Sequence, residues 1–368
     1  MRKIIWLISL VFIASLLFVS CDNPYKGLNT GTGVFYYGED NLQGGFYGFI
    51  KGGRYYFEKH EDYVVENILD YSIDGNDVYL LCREIHGNDT CNVIRKNGKM
   101  TSKFKWRNDG ILLVINGKVR VYSKYFSYYN LYTYKPQYWE DGQLYDVELE
   151  APTFEALTVF AQPSKFLVKN GDVYCLGFLA TVNGNTACVW KNNKLMCYYD
   201  PTKNSLRSTV GFAVDKNDDI IMFKDIENYY LEQNNRTYSL MAASFKNGDL
   251  FELYYDTAKI NLKDYRCWCG GATQVNDDIY FAVLQYPNSG VRENEVILYK
   301  NFKEVCRLES YQFLRMCVKN DVIYTAQRFV SAQDGYYSIS FYENDKLLNL
   351  ISVPGNSDIM IRGMFVIP

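Results

Sequence analysis

The sequence is poor in the residues from which most hydrolytic and metal sites are built. Its 368 residues include only two histidines, His60 and His86, so Ser-His-Asp, Cys-His and histidine-metal sites lack their central residue. Basic residues are not in excess either, since 39 Lys and Arg stand against 42 Asp and Glu, for a net charge of −3. Because nucleic-acid binding depends on neutralising phosphates, we expect no nucleic-acid partner. No residue pattern indicates a cofactor, a metal ion or a catalytic residue, and an enzyme is the less favoured expectation.

Long apolar runs are scarce, and the one at the N-terminus is typical of an export signal. A short positive segment precedes about 16 apolar residues, fewer than the roughly 20 of a transmembrane helix. The run ends at Leu17–Cys21, in the letters LFVSC, which resembles a bacterial lipobox, although Phe18 stands where that pattern prefers Leu. The resemblance implies removal of residues 1–20 and lipidation of Cys21. The alternative is a plain secretory peptide with an incidental cysteine.

A lipidated Cys21 predicts the location of the protein. Acyl chains hold a protein at a membrane without any spanning helix. We therefore expect a protein of the cell envelope, anchored in the outer membrane on its periplasmic side or at the cell surface. Residues 21–32 would then form a tether and residues 33–368 the folded domain.

Cysteine usage leaves the disulfides open. Ten cysteines are present, so an odd number remains once Cys21 is set aside. Cys82 and Cys91 flank one predicted hairpin turn, and Cys175 and Cys188 flank another. Each pair is either a cross-strand disulfide, if the register matches, or two buried thiols.

Helical periodicity is absent after Cys21, and a repeated pattern of short strands takes its place. Each repeat has an Asn/Gly/Asp turn before a strand like Asp-Val-Tyr, and a second turn like Lys-Asn-Gly before its last strand. The residues that precede the second turns are Lys51, Lys96, Glu140, Lys191, Lys246, Lys300 and Glu343. Intervals of about 43 to 55 residues match four strands per repeat. The sequence therefore predicts an all-β, seven-bladed β-propeller of four-stranded antiparallel blades.

The two ends of this region together complete one blade. The first repeat has strands at Gly33–Tyr37, Phe46–Ile50 and Arg54–Glu58, but no apolar strand precedes them. The chain ends in the apolar segment Ile359–Pro368, which has no repeat of its own. We expect this C-terminal segment to pair into the first blade as its innermost strand and so to close the ring.

The repeat also resembles a known group of proteins. An apolar strand, the letters NDVY, a loop and the letters YWKNG are similar to the repeats of uncharacterised propeller lipoproteins from Bacteroidota. The repeats are degenerate here, because only Trp139 and Trp190 keep the tryptophan before the second turn. The resemblance implies the fold over nearly the whole mature chain, but propellers host many unrelated activities.

Loop lengths predict which side of the ring binds a partner. Tight turns join strands one to two and three to four on one side, which we name the tight-turn face. Long connections join strands two to three and neighbouring blades on the other side, the long-loop face, where binding residues are expected. Aromatic and arginine side chains are frequent there, and they suit sugar rings or a protein partner. The candidate ligand-binding residues are Trp106, Arg107, Tyr129, Arg207, Tyr230, Tyr265, Arg266, Trp268 and Tyr286.

Three functions follow from this face. The first is binding of a glycan or a protein partner. The second is a carbohydrate-active enzyme, a glycosidase or lyase, with two carboxylates about 5–10 Å apart at the channel mouth. The third is a structural subunit of an outer-membrane complex, which requires a large exposed apolar patch. The acidic residues Asp77, Asp219 and Asp278 recur at the first turn of their repeats, and this recurrence indicates a role in the turn rather than in catalysis.

Overall fold

The protein is built from short antiparallel strands. The structure is a computed structural model that describes residues 33–40, 44–49, 54–56, 64–105, 110–123, 137–150, 158–181, 184–198, 206–231, 236–254, 266–286, 294–309, 312–330, 337–353 and 359–367. The first fourteen strands are β1 (Val34–Asp40), β2 (Gly44–Phe49), β3 (Arg54–Tyr56), β4 (Val64–Asp74), β5 (Asp77–His86), β6 (Asp89–Lys96), β7 (Lys99–Phe104), β8 (Gly110–Ile115), β9 (Lys118–Ser123), β10 (Gln137–Glu140), β11 (Gln143–Asp146), β12 (Thr158–Lys169), β13 (Asp172–Thr181) and β14 (Gly184–Lys191). The others are β15 (Lys194–Tyr198), β16 (Leu206–Val214), β17 (Ile220–Leu231), β18 (Arg236–Lys246), β19 (Asp249–Tyr254), β20 (Arg266–Val275), β21 (Asp278–Tyr286), β22 (Glu295–Lys300), β23 (Lys303–Glu309), β24 (Gln312–Lys319), β25 (Val322–Val330), β26 (Tyr337–Glu343), β27 (Lys346–Val353) and β28 (Ile359–Val366). No helix within these ranges has the length and apolar character needed to cross a membrane.

The strands form seven four-stranded antiparallel sheets, as the repeat predicts. Blade 1 has the order β28-β1-β2-β3, and blades 2 to 7 take the following strands four at a time, from β4 to β27. Within blades 2 to 7 the first strand of each blade lies innermost, beside the central channel. The seven-bladed propeller is therefore confirmed.

Ring closure by the C-terminal strand is also confirmed. Strand β28 pairs with β1, with Phe35 opposite Phe365, and the two rings lie 5.0 Å apart between centroids. The register shifts at Gly38, where a Cβ atom would lie 2.1 Å from the carbonyl oxygen of Met360. Glycine is required at this bulge because the backbone of β28 approaches too closely for any side chain.

The core lies between the blades rather than within one central mass. Each of the seven blade interfaces holds its own cluster of buried apolar side chains. At the interface of blades 5 and 6, for example, Phe223 stacks on Phe281 at 4.6 Å. A sheet of four strands cannot bury both of its faces alone, so stacking against two neighbours provides the apolar burial that stabilises it.

The hairpin turns follow from their Asn-Gly and Asp-Gly sequences. Asn97, Asn116, Asp141 and Asn170 all have φ values near +50°, and a glycine with positive φ follows each of them. Such two-residue turns match the right-handed twist of the strands that they join. These turns gather at the tight-turn face and hold the strand ends in register there.

The outermost strands carry a recurrent irregularity. In blades 2, 4, 5, 6 and 7 the register between the third and fourth strands shifts shortly after the turn, as at Phe245 in blade 5 and Leu298 in blade 6. A β-bulge twists an edge strand and makes it a poor template for pairing with another chain. The bulges therefore protect the outer rim of the ring.

Candidate functional site

The acidic turn residues belong to a repeated structural contact. In blade 4 the Asn192 side chain accepts a hydrogen bond from Val173 N at 2.9 Å and donates one to Asp172 at 2.7 Å. Lys191 pairs with the same carboxylate at 2.8 Å and lies over the Tyr174 ring. The lysine and the asparagine together hold the pKa of Asp172 below its usual value.

Three other blades repeat this contact. Lysine–aspartate distances of 2.7, 2.6 and 3.0 Å are found for Lys96–Asp77, Lys246–Asp219 and Lys300–Asp278. An asparagine joins each aspartate in the same way. These carboxylates are engaged in fixing the two turns of one blade to each other, which agrees with the structural role expected for them.

Blade 3 has the same contact with the charges exchanged. Lys118 occupies the position of the aspartate, and Glu140 occupies that of the lysine, with 2.5 Å between their charged atoms. Arg120 also pairs with Glu140, and together the two cations hold the pKa of Glu140 below its usual value against the opposing effect of its burial. The contact thus depends on opposite charge across the two turns and not on which strand carries the acid.

Side chains on the innermost strands satisfy the unpaired backbone groups that face the channel. On β4, Asp70 accepts from Leu112 N at 2.8 Å, Ser72 from Val114 N at 3.2 Å, and Asp74 from Gly117 N at 2.5 Å. All three donors lie on β8 or its turn, in the neighbouring blade. Because the inner edge of a blade has no strand beside it, these contacts replace the missing ladder.

The channel widens into a cavity at the tight-turn face. Its volume is about 690 Å³, within the range of small-molecule sites. Strands β4, β8, β12, β16 and β20 line it, and the turn residues Asp74, Asn116 and Gly171 lie at its mouth. The cavity therefore opens on the side opposite to the long loops.

Charged side chains from separate blades lie at one level of the channel. Asp70, Lys165 and Arg315 each lie four residues before the last residue of their innermost strand. Lys165 donates to the carbonyl oxygen of Ala272 at 3.0 Å, and Arg315 donates to that of Arg362 at 3.0 Å. Burial lowers the pKa of the Lys165 amine, Asp70 opposes this shift and Arg315 adds to it.

Blade 2 contains a buried charged cluster towards the long-loop face. Glu84 is fully buried, and both of its carboxylate oxygens accept from Arg95, at 2.6 and 3.1 Å. His86, two residues further along β5, lies 3.1 Å from the same carboxylate. The arrangement neutralises a carboxylate that would otherwise be costly to bury.

Three of the predicted binding residues lie together at one end of blade 6. Arg266 and Tyr286 are opposite each other on β20 and β21, and the Trp268 ring stacks on Tyr286 with 4.2 Å between centroids. Arg266 is exposed, whereas Trp268 and Tyr286 are half-buried and pack against the cluster between blades 6 and 7. The strand ends that carry these residues lead to the long-loop face.

The other predicted binding residues cannot be placed in the same way. Arg207 and Tyr230 lie on β16 and β17, but their side chains are outside the described part of the chain. Four more candidates lie outside the described residues altogether, namely Trp106, Arg107, Tyr129 and Tyr265.

The cysteines of the two candidate disulfide pairs are free, buried thiols, the second of the two alternatives left open by the sequence. Cys82 lies opposite Val93 and Cys91 opposite Glu84, while Cys175 lies opposite Trp190 and Cys188 opposite Gly177. Each pair is thus offset by two residues rather than directly opposite. Burial raises the pKa of the Cys188 thiol to about 12, which is the behaviour of a thiol in an apolar core. The structure gives the two disulfides no support.

The channel cavity was not anticipated from the sequence. Its polar residues come from different repeats, and Asp70 and Lys165 are almost a hundred residues apart in the chain. The sequence contained one indication of it. Lys165 places a charged side chain in an innermost strand, at a level where Ile111 and Gly271 stand in other blades. Within the described ranges, no three His, Cys, Asp or Glu side chains converge in a way that could hold a metal ion.

Comparisons with known proteins extend to the fold only. No family model matches the chain, and no curated protein matches it. Among solved structures, the chain is similar to a quinonprotein alcohol dehydrogenase-like protein from Bacteroides thetaiotaomicron, with 9% identity, a TM-score of 0.43, and 90% of this chain and 78% of that one covered. It is also similar to AztD from Citrobacter koseri, with 11% identity, a TM-score of 0.37, and 91% and 98% covered.

A third similar structure is the Bacteroides ovatus xyloglucan PUL GH43B, with 8% identity, a TM-score of 0.31, and 91% and 92% of the two chains covered. Two of these three neighbours come from Bacteroides. At such identities the likeness concerns the fold, and what those proteins bind does not transfer to this chain.

Proposed function

We propose that the protein is a lipid-anchored binding protein of the cell envelope that recognises a glycan or a protein partner through its long-loop face. The observation that supports this most is the group of Arg266, Trp268 and Tyr286. An exposed guanidinium beside two stacked aromatic rings offers a hydrogen-bonding group next to flat apolar surface. Sugar faces and protein hot spots both use this combination, because rigid rings lose little entropy on binding.

Anchoring through Cys21 would attach the chain to the propeller at the start of β1. The carbonyl of Gly33 accepts a hydrogen bond from Ile367 N at 2.9 Å, and β1 begins at the tight-turn face as every second strand of a blade does. The proposed tether of residues 21–32 would span at most about 40 Å when fully extended. The tether would therefore join the propeller at the tight-turn face, on the side opposite to the proposed binding surface.

Among the described residues, no specific observation favours either alternative function. A carbohydrate-active enzyme would need two carboxylates at the channel mouth on the long-loop face, whereas Asp70 and Asp74 of the described channel lie towards the tight-turn face. A structural subunit needs one large apolar patch. The exposed apolar side chains of the outermost strands, such as Met100, Leu144 and Leu347, are instead distributed over several blades.

A glycan array with the chain from Cys21 onward, produced without its acyl chains, tests the proposal. Arg266→Ala and Trp268→Ala should each reduce binding to the recognised glycan, because one removes a hydrogen-bonding group and the other an aromatic surface. Met100→Ala is the matched control, since it removes an exposed apolar side chain from an outermost strand near the opposite face. If no glycan binds, the same three variants are compared in capture of an envelope protein from the producing organism. Binding that Arg266→Ala and Trp268→Ala leave unchanged would contradict the assignment of this face.

A further inference from the structure

The outermost strand of blade 3 lacks the bulge that interrupts five other outermost strands. In blades 2, 4, 5, 6 and 7 the register between the third and fourth strands shifts, whereas β11 pairs with β10 without a shift from Gln143 to Asp146. Strand β3 of blade 1 is also regular, but it has three residues. Because a regular edge is a better template for pairing than a bulged one, β11 is the edge best suited to accept a further strand.

The hairpin geometry directs backbone groups of β11 outward. The two residues that flank a two-residue turn exchange both of their backbone hydrogen bonds, and here these residues are Glu140 and Gln143. The pattern alternates along the strand, so Leu144 turns its N–H and C=O groups away from β10. Strand β11 is the last strand in the order of its sheet, so these groups lie along the open edge. All four residues of β11 also have exposed side chains.

A row of stacked tyrosine rings crosses blade 3 and ends at this edge. Tyr138 on β10 lies opposite both Tyr122 on β9 and Tyr145 on β11. Its ring stacks on the rings of these two neighbours, with 5.1 and 5.3 Å between centroids. Tyr122 is buried beside Phe166 of blade 4, whereas Tyr145 is 40% exposed. The row therefore begins in the core between two blades and stops at a ring that solvent still reaches.

A second copy of the chain would continue this row. When two β11 strands pair antiparallel about a two-fold axis at Tyr145, Leu144 of each copy lies opposite Asp146 of the other, in position to exchange backbone hydrogen bonds. The two Tyr145 residues then form a non-hydrogen-bonded pair, in which opposite side chains approach most closely. This register places no two like charges opposite each other. Each copy uses the same surface, so the contact closes as a dimer.

We propose that β11 of blade 3 pairs with β11 of a second copy, so that two four-stranded blades form one eight-stranded sheet in a two-fold symmetric dimer. The contact lies on the outer rim of blade 3, apart from Arg266, Trp268 and Tyr286 in blade 6, and it requires neither lipidation nor a ligand. Few residues take part, so the interface is smaller than the standard size of about 1,600 Å², and the dimer is reversible.

Sedimentation equilibrium of the chain from Cys21 onward, without acyl chains and with a reductant present, tests the dimer. We expect monomer and dimer in equilibrium, with a dissociation constant on the order of 10–100 μM. Tyr145→Lys should raise this constant about tenfold or more, because it ends the aromatic row and places two cations at the axis. Tyr198→Lys is the matched control, since Tyr198 is 39% exposed on the bulged outermost strand of blade 4, and it should dimerise like the parent protein.

Two further variants test the register and the backbone contact. In a Cys21→Ser background, Tyr145→Cys should form a disulfide between two copies under mild oxidation, because residues of a non-hydrogen-bonded pair lie close enough for one. Tyr198→Cys in the same background should form none. Leu144→Pro removes an outward N–H group without adding charge, and it should raise the dissociation constant about tenfold.

Circular dichroism establishes that each variant is folded before its association is compared. A parent chain that stays monomeric up to about 1 mM would overturn the proposal. So would a dimer that Tyr145→Lys leaves unchanged, one that Tyr198→Lys weakens equally, or one in which Tyr145→Cys forms no cross-link, since each result places the contact elsewhere on the molecule. If Tyr145→Lys is unfolded, Tyr145→Cys and Leu144→Pro still decide the question.

Discussion

The two ends of blade 2 are stabilised by different kinds of polar contact. Near the tight turns, the same Asp-Lys-Asn contact recurs in blades 2, 4, 5 and 6, and its side chains are about one-third exposed. Towards the long-loop face, the cluster of Glu84, Arg95 and His86 occurs in blade 2 and is almost fully buried. The turn contact thus recurs in several blades, whereas in the part of the chain that the structure describes the buried cluster is found in blade 2.

The exposed and the buried ion pairs also differ in how much they contribute to stability. Exposed ion pairs contribute little because water screens them, so the repeated contacts mainly fix the geometry of the turns. A buried ion pair is costly to break, because the partner that is left behind cannot be solvated. The end of blade 2 that contains Glu84 therefore tolerates fewer changes at its charged positions.

The largest expected effect is that of removing the buried carboxylate. Glu84→Ala leaves Arg95, which is 3% exposed, without its bidentate partner. We expect the free energy of unfolding to fall by about 3–5 kcal/mol, as measured by urea denaturation. Asp89→Ala in the same blade is the control, because its ion pair with Lys105 is exposed and its loss should change little. Equal effects of the two substitutions would contradict the comparison.

A smaller effect is expected at the turn. Asn192→Ala removes the acceptor for Val173 N and the donor to Asp172, and it places alanine at a φ of +49°. We expect a loss of about 1–3 kcal/mol in the free energy of unfolding. Asn192→Gly tolerates the positive φ and should lose less. If the two variants were equally destabilised, backbone strain would have no part in the effect.

The architecture could be predicted because it depends on patterns that recur along the chain. Turn sequences such as Asn97-Gly98 specify hairpins locally, and the apolar segment Ile359–Pro368 lacked a repeat of its own. Both features can be recognised from the amino-acid sequence alone. The number of blades and the closure of the ring follow from them.

The candidate site could not be predicted to the same extent, because its contacts join blades that are distant in sequence. The position of Lys165 opposite Ala272 depends on the close approach of two innermost strands at Gly211. Trp268 packs between blades 6 and 7, because successive side chains of an innermost strand face opposite neighbours. The choice between disulfides and buried thiols stayed open because it depends on the exact strand register, which the turn sequences alone do not determine.

The smallest expected effect is the contribution of the repeated turn contacts to the loss of stability at low pH. Lysine and asparagine partners hold the pKa values of Asp77, Asp172, Asp219 and Asp278 below the ordinary value of 3.8. An aspartate whose pKa is lower in the folded state contributes stability above the unfolded-state value, and this stability is lost as the pH falls through the folded-state value.

We therefore expect the melting temperature to decrease between pH 5 and pH 2. A variant with all four aspartates replaced by asparagine should show a shallower decrease over the same range, because its turn contacts no longer titrate. Glu140 in blade 3 keeps a lowered pKa through Lys118 and Arg120, so part of the decrease should persist. A variant that retained the full acid sensitivity of the parent would mean that the repeated contacts add no stability, and that their lysines serve only to orient the turns.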